Sequence, residues 1–267
     1  MSIIAQIKTP SELALYLNAG VYQDFDPEII VQQQVDLHLA CVDDFGQVQA
    51  RCSLWWSDVP ELENEKLGII GHYATDHDQK DENDQSGQDM STAVMLNNAC
   101  FLLKLQKCTR AIGPMDGNTW RSYRFVTDAG DEPPFFLEPT NPSNWPLYWT
   151  NYGFEPLAEY SSGLTTDLSQ RDERLPKVEQ RLEQRGIHFR PLDVNNFEQE
   201  LRRIYSISVV SFSKNYLYTP LDEDDFVSQY MKVKELVVPE LTIIAEKDHK
   251  PVGYLFAIPD INEKTRG

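Results

Sequence analysis

The stretch LHLACVDDFGQVQARCSLWW, residues 37–56, decides the fold of this chain. Apolar side chains occupy the odd positions from 37 to 41 and the even positions from 48 to 56, and a turn at 43–46 separates the two runs. Side chains alternate between the two faces of a β-strand, so this change of phase across a turn predicts an antiparallel hairpin with one buried face.

A second hairpin of the same pattern lies near the other end of the chain, in IIAEKDHKPVGYLFAIPD (243–260). A shift of 204 positions places Cys41 on Ala245 and Val48 on Val252 without a gap. An internal repeat on this scale indicates two copies of one domain. The alternative is that any two hairpins share an alternating pattern.

Capping residues and periodicity predict the elements around the hairpins. Residues 9–12 (TPSE) form a capping box with proline at the first helical position, so we expect the chain to open with a short helix. The stretch 67–74 (LGIIGHYA) predicts a strand and 90–107 a long apolar helix. The remaining predicted elements are strands at 110–114 and 187–192 and helices at 194–212 and 223–236.

Composition excludes two classes of protein. The 267 residues carry 42 acidic and 24 basic side chains, a formal net charge of -18, and a chain this acidic repels a nucleic-acid backbone. With 41% hydrophobic and 11% aromatic residues, the chain also has enough apolar side chains for a core and is not disordered over most of its length.

The acidity is concentrated in the first part of the chain. Up to residue 165 there are 24 acidic and 9 basic residues, and the stretch 76–89 alone holds six acids, one lysine and one glycine. The polar stretch 167–185 has the charge spacing of an exposed helix. We therefore predict a domain at 1–166, a linker at 167–186 and a second domain at 187–267.

No apolar run approaches the about 20 residues of a membrane-spanning helix, and the first residues lack the pattern of a signal peptide. The four cysteines show neither a CxxC pair nor zinc-site spacing, which favours reduced, mostly buried thiols. We expect a soluble, cytoplasmic protein without a membrane partner; the sequence indicates no oligomeric state.

Three segments resemble the GNAT-type N-acetyltransferases. They are the hairpin 243–260, the closing segment NWPLYWTNYGFEPLAEY (144–160) and the block GPMDGNTWRSYRFVTDAGDEPPFFLEPTNPSNWP (113–146), the last being similar to a subgroup of large tandem members. The resemblance implies an α/β (α+β) fold of the acyl-CoA N-acyltransferase (GNAT-like) type, with a mixed central sheet flanked by helices, in tandem. It also implies that the second copy is cut short before its phosphate loop.

The same resemblance implies acetyl-CoA, or another acyl-CoA, as cofactor and a small-molecule or peptide amine as acceptor. The pyrophosphate would bind at a helix N-terminus, here at Gly87 and Ser91, although six carboxylates lie in the same loop. In the family that this chain resembles, many members use as acid a tyrosine four residues before the glycine of the Gly-Phe pair; here that position is Trp149. Tyr152 or Tyr148 could substitute, and the alternative is that both are packing aromatics.

His72, in the strand 67–74, is the candidate general base, with a buried sheet histidine as the alternative. We predict no metal site, because nothing fixes the geometry of the nearby histidines and aspartates. Asn118, Trp120 and Arg121 are candidate substrate-binding residues; the alternative is that the arginines of this loop pair with the surplus acids.

Two functions remain open on this evidence. The first is an N-acyltransferase that moves an acyl group from a CoA thioester to an amine by direct attack. The second is a catalytically degenerate module of the same fold that binds a ligand or a protein.

Overall fold

The computed structural model describes residues 2–17, 20–76, 90–165, 167 and 169–261. The chain divides into two compact units, the first made of Met1–Pro156 with Tyr216–Thr219 and the second of Leu157–Asn215 with Pro220–Gly267. A helix lies within the predicted linker, and the predicted domain boundaries at 166 and 186 stay a prediction.

The first unit is built on a five-stranded sheet. Its strands are β1 (Ile3–Ile7), β2 (Leu37–Val42), β3 (Val48–Trp55), β4 (Leu67–Thr75) and β5 (Arg110–Ile112), and its helices are α1 (Pro10–Leu13), α2 (Ile29–Gln32), α3 (Met90–Leu105) and α4 (Trp145–Tyr152). The strands follow one another in sequence order; β1 to β4 are antiparallel, and β4 pairs β5 in parallel across α3.

Helices cover both faces of this sheet. Leu39 of β2 packs in a core with Met95 of α3 and Trp149 of α4, whereas the next residue, Ala40, packs in a separate core with Leu13 of α1. Adjacent strand residues point to opposite faces, so α3 and α4 lie on one face and α1 on the other. The expected fold class is confirmed, an α/β (α+β) fold with a mixed central sheet flanked by helices.

Two local expectations were wrong. The chain opens with strand β1, which pairs with β2, and not with a helix; the capping box forms, with Thr9 Oγ1 accepting from the Glu12 N–H at 3.2 Å, but starts a helix of only four residues. The hairpin of β2 and β3 is buried on both faces, because α1 and its surroundings cover the face on which His38 lies.

Strand β4 leaves β5 early. Its nine residues pair with β5 only from Leu67 to Ile69, which match Arg110 to Ile112. His72 has φ of 47°, a left-handed conformation that interrupts the strand, and the register against β3 shifts at the same level. At Gly71 a Cβ would lie 2.0 Å from the Met115 carbonyl oxygen, so only glycine fits there. The two strands separate after Ile69 of β4 and Ile112 of β5, and we call this region the fork.

The second unit contains the exposed helix α5 (Leu175–Gln184) and a three-stranded antiparallel sheet in the order β6, β7, β8. Its other elements are β6 (Ile187–Pro191), α6 (Phe197–Phe212), α7 (Glu223–Met231), β7 (Thr242–Lys247) and β8 (Lys250–Phe256). The second predicted hairpin is therefore present, as β7 and β8.

Among the described residues, no helix combines the length and the apolar character that crossing a membrane requires.

Candidate functional site

Side chains hold the backbone of His72 at the fork. Its N–H donates to Asp116 Oδ1 at 2.6 Å, and its carbonyl oxygen accepts from Arg51 Nη1 at 2.5 Å. The left-handed turn removes this residue from the strand ladder, so a carboxylate and a guanidinium replace the partners that a neighbouring strand would supply. Arg51 and Asp116 therefore fix the geometry at which β4 breaks.

Arg51 is held in an unusual environment for a charged side chain. Its Nε donates to the Val21 carbonyl at 2.5 Å, and its guanidinium lies 4.1 Å from the ring centroid of Phe25. Burial lowers its pKa to about 10, an effect that Tyr22 and Asp116 oppose. Carbonyls and an aromatic ring, and not a carboxylate in direct contact, accommodate this cation within the described part of the chain.

Five side chains form a continuous hydrogen-bonded row beneath the fork. His72 Nε2 lies 3.1 Å from Gln33 Oε1, which only accepts, so His72 donates there and accepts at Nδ1 from the Ser53 hydroxyl at 2.9 Å. Ser53 Oγ then accepts from His38 Nδ1 at 2.7 Å. Tyr22 closes the row by donating its hydroxyl to His38 Nε2 at 2.8 Å.

This direction of donors requires both imidazoles to be neutral. Burial, reinforced by the charge of Arg51, lowers the pKa of His72 to about 3 and that of His38 well below its ordinary value. Asp116 responds in the opposite sense: burial raises its pKa to about 6, against the effects of the His72 N–H and the two nearby arginines. A fifth of the Asp116 side chain is exposed, so solvent reaches this carboxyl.

The structure brings one of the three predicted substrate-binding residues to this site. Arg121 Nη1 donates to the backbone carbonyls of Asp116 at 3.2 Å and of Gln33 at 3.4 Å. Asn118 instead closes a local turn by accepting from the Trp120 N–H, and the Trp120 indole donates to the Thr219 carbonyl. Arg121 thus belongs to the network around His72, whereas these hydrogen bonds of Asn118 and Trp120 lie elsewhere.

On the opposite face of the sheet, α3 begins beside β4. Its first turn carries no acidic residue, and Thr92 Oγ1 is tied to the Tyr73 hydroxyl at 2.7 Å. Ser91 is the second residue of this helix. Gly87 and most of the acidic stretch, 77–89, lie outside the described residues.

Helix α4 presents its aromatic residues to the same face. The Tyr152 hydroxyl lies near the thiol of Cys100 in α3, and burial raises the pKa of both groups. The Tyr148 hydroxyl accepts from Asn144 Nδ2 at 2.7 Å. Trp149, at the position where the acid was expected, is 2% exposed, and its Nε1 has no hydrogen-bond partner among the described residues.

The described residues contain no group of three or more histidine, cysteine or acidic side chains able to hold a metal ion. All four cysteines are free. His77 and Asp78, the histidine and one of the aspartates that follow His72 in the sequence, lie outside the described residues.

Sequence patterns missed most of the polar site. His38, Arg51 and Ser53 occupy the positions of the hairpin that alternate with its apolar residues, so they were expected on an exposed face. Asp116 lies in a loop whose place against β4 depends on the early end of β5. One signal was available in the sequence. His38, Ser53 and His72 are polar residues at matching levels of three neighbouring strands.

Comparisons with known proteins give distant likenesses. No family model matches the chain. A bacterial ceramide synthase from Caulobacter vibrioides is 23% identical over 168 residues, which is 60% of this chain and 42% of that protein. This chain therefore spans less than half the length of that relative.

Among solved structures, the glucosamine N-acetyltransferase region of a fungal multi-domain β-N-acetylglucosaminidase is 12% identical, with a TM-score of 0.43 over 95% of this chain and 27% of that chain. A predicted acetyltransferase from Clostridium acetobutylicum with acetyl-CoA is 10% identical, with a TM-score of 0.31 over 61% of this chain and 96% of that one.

Proposed function

We propose that the first unit is an acyl-CoA-dependent N-acyltransferase. The observation that carries this proposal is the fork, where β4 pairs with β5 over Leu67–Ile69 only and then continues to Thr75 along α3. Ile70 and His72 of β4 already have backbone partners in Met115, Asp116 and Arg51, so the groups open to a ligand lie beyond His72. There an extended pantetheine arm can add beside β4 as a strand would. A helix that begins at the same place supplies N–H groups for a pyrophosphate.

In this proposal the start of α3 binds the pyrophosphate, with Ser91 in the first turn and Gly87 in the preceding loop. The absence of acidic side chains from that first turn supports it. The acids at 76–89 oppose it, since like charges repel, but exposed charges are screened over about 10 Å at ordinary salt.

Asp116 is the best placed group to accept the proton of the amine. Its pKa of about 6 leaves it ionised at neutral pH yet close enough in basicity to take up a proton. His72, with a pKa of about 3, is too weak a base for this step and instead fixes the carboxylate through its backbone N–H. The deprotonated amine attacks the thioester carbon, the C–N bond forms, the C–S bond breaks, and the thiolate takes a proton from solvent or from Tyr152.

The acceptor is a cationic amine on a small molecule or a peptide. The acidic first part of the chain favours the approach of a cation, and Asp116 supplies a carboxylate for its ammonium group. The named product of the Caulobacter relative, ceramide, is itself an amide, which agrees with an N-acyl product.

We also propose that the second unit is a related copy. Both units present a strand, two helices and an antiparallel hairpin in the same order: β1, α1, α2, β2, β3 in the first and β6, α6, α7, β7, β8 in the second.

The competing proposal is a binding module without catalysis. It is favoured by Trp149, which has no titratable proton at the position of the expected acid. Catalysis by Asp116 does not require an acid there, since a thiolate is stable enough to leave unprotonated.

Calorimetric titration of the chain with CoA and acetyl-CoA tests the acyl-CoA proposal. We expect micromolar affinity, and Ser91→Glu should weaken it roughly tenfold at low salt because a carboxylate at the start of α3 repels a pyrophosphate. Ser91→Gln, of the same length and neutral, is the matched control. No heat from either ligand up to about millimolar concentration would overturn the proposal.

If the cofactor binds, thiol release from acetyl-CoA in the presence of a panel of small and peptide amines separates the two functions. Release that depends on an amine supports the transferase. Tight binding without release for any amine supports the binding module.

A further inference from the structure

The indole N–H of Trp149 is a buried donor without an acceptor. The residue is 2% exposed, and Nε1 has no hydrogen-bond partner within the described part of the chain. Buried N–H groups are nearly always paired, because burying one without a partner loses its hydrogen bond to water. An unpaired donor on a well-packed helix is therefore open to an acceptor that the described residues do not supply.

The outer edge of the six-membered ring of Trp149 lies at the fork. A Cβ on Gly113, the residue that follows β5, would lie 2.7 Å from Cη2 and Cζ3 of the Trp149 indole and 2.5 Å from the Ile70 carbonyl oxygen. Glycine at this position lets the six-membered ring of the indole reach the point where β4 and β5 part, with Nε1 on the five-membered ring behind it. Any larger residue at 113 would push the ring away from it.

Among the described residues, the aromatic rings that pack on the indole offer it no acceptor. Phe125 and Phe154, with ring centroids 5.5 and 4.7 Å from that of Trp149, have no polar atom. The third neighbouring ring, Tyr73, directs its hydroxyl to Thr92 on α3. The apolar surroundings strengthen any hydrogen bond that the indole makes there, because they exclude competing water.

We propose that Trp149 Nε1 donates to the carbonyl oxygen of an acyl thioester bound at the fork. This rests on the proposed function, which places the pantetheine arm along β4 with its thioester at the point where the strands part. Asp116 and the attacking amine then lie on the α1 face of the sheet, and Trp149 lies on the α4 face. The indole would hold the carbonyl while the amine approaches from the other side.

This donor distinguishes acyl-CoA from free CoA. A thioester carries a carbonyl acceptor, whereas the thiol of CoA is a poor one. The protein should therefore bind acetyl-CoA more tightly than CoA, and it should release CoA after the acyl group has been transferred.

Nuclear magnetic resonance of the unmodified protein tests the contact without a variant. The chain has five tryptophans and hence five indole N–H signals, of which Trp149→Phe identifies one by its disappearance. With saturating acetyl-CoA, the Trp149 signal should move downfield, as a new hydrogen bond requires, and with saturating CoA it should stay near its free position.

Binding to the variant supplies the second readout. Trp149→Phe should weaken acetyl-CoA binding roughly five- to tenfold and leave CoA binding unchanged, since one neutral hydrogen bond is lost only with the thioester. Trp145→Phe is the matched control, because Trp145 lies in α4 and packs against the same rings, at 4.8 Å from Tyr73.

The outcomes separate this inference from the proposed function. If both ligands bind and move the Trp149 signal equally, or do not move it, the inference is overturned and the transferase proposal stands. If neither ligand binds the unmodified protein, both are overturned.

Discussion

At the scale of single residues, the fork depends on Arg51. Its guanidinium bonds to the carbonyls of Val21 and His72, so one side chain ties β4 to the segment before α2. Backbone carbonyls buried beside it would lose their donors if it were removed. A buried group left without its partner costs about 1 to 3 kcal/mol.

We predict that Arg51→Leu lowers the free energy of unfolding of the first unit by about 2 to 4 kcal/mol, since two carbonyls lose their donor. Arg51→Lys should recover little of the lost stability, because a single ammonium group cannot reproduce the two donors that the planar guanidinium holds in fixed positions. All five tryptophans lie in Met1–Pro156, so their fluorescence in urea reports this unit.

Arg110, paired with Glu65 on the surface of the same unit, provides the control: Arg110→Leu should change the unfolding midpoint very little. Equal stability of Arg51→Leu and the unmodified protein would show that the carbonyls find other donors.

At the scale of helices and strands, one buried carboxylate connects the elements of the second unit. Glu200 of α6 is 1% exposed and accepts two hydrogen bonds from Arg190 of β6, at 2.6 and 3.0 Å, and a further one from Arg203. Arg190 also donates to Glu246 of β7 at 2.8 Å. The cluster thereby joins α6 to two strands.

We predict that Glu200→Ala destabilises the second unit by about 1 to 3 kcal/mol, because the partly exposed Arg190 and Arg203 lose the carboxylate that they share while Arg190 keeps Glu246. Hydrogen exchange at the amides of α6 and β7 measures this unit alone. Glu198→Ala, an exposed partner of Arg202 on the same helix, is the control, and faster exchange of equal size in both variants would contradict the prediction.

The sequence predicted the elements far better than the site that they form. Apolar alternation identified β2, β3, β7 and β8, because a strand with an apolar face keeps that pattern wherever it packs. It could not identify the second buried face of the hairpin, since His38 and Ser53 are polar and are buried only as partners of one another. Arg121 and His72 were recognised by residue type. Asp116 could not be recognised, because its role depends on where its loop lies against the fork.

At the scale of the whole molecule, acid should act first on the polar row beneath the fork. Each histidine there has a lower pKa in the folded chain than in the unfolded chain, so its contribution to stability is fully present above about pH 6.5 and falls as the pH drops toward the folded value. For His72 that window extends from about 6.5 down to about 3.

Asp116 works in the opposite direction. Its folded pKa of about 6 lies above the value of 3.8 for a free carboxyl, so its contribution favours the folded state at low pH and is lost as the pH rises through about 6. Between pH 6 and 4 the two effects partly cancel. Two histidines destabilise the folded state in acid and only one aspartate stabilises it. The positive charges of Arg51 and Arg121 also disfavour a further cation, so the net effect of acid is loss of stability.

We predict that the free energy of unfolding of the first unit, followed by tryptophan fluorescence, falls by a few kcal/mol between pH 7 and about pH 4. His72→Gln, which cannot take up a proton, should flatten this dependence while lowering stability at pH 7, because it disturbs the row. His188→Gln, at an exposed position of β6, should leave the dependence unchanged. A slope for His72→Gln as steep as that of the unmodified protein would mean that acid destabilises the unit elsewhere, and that the row tolerates a charged imidazole beside Arg51.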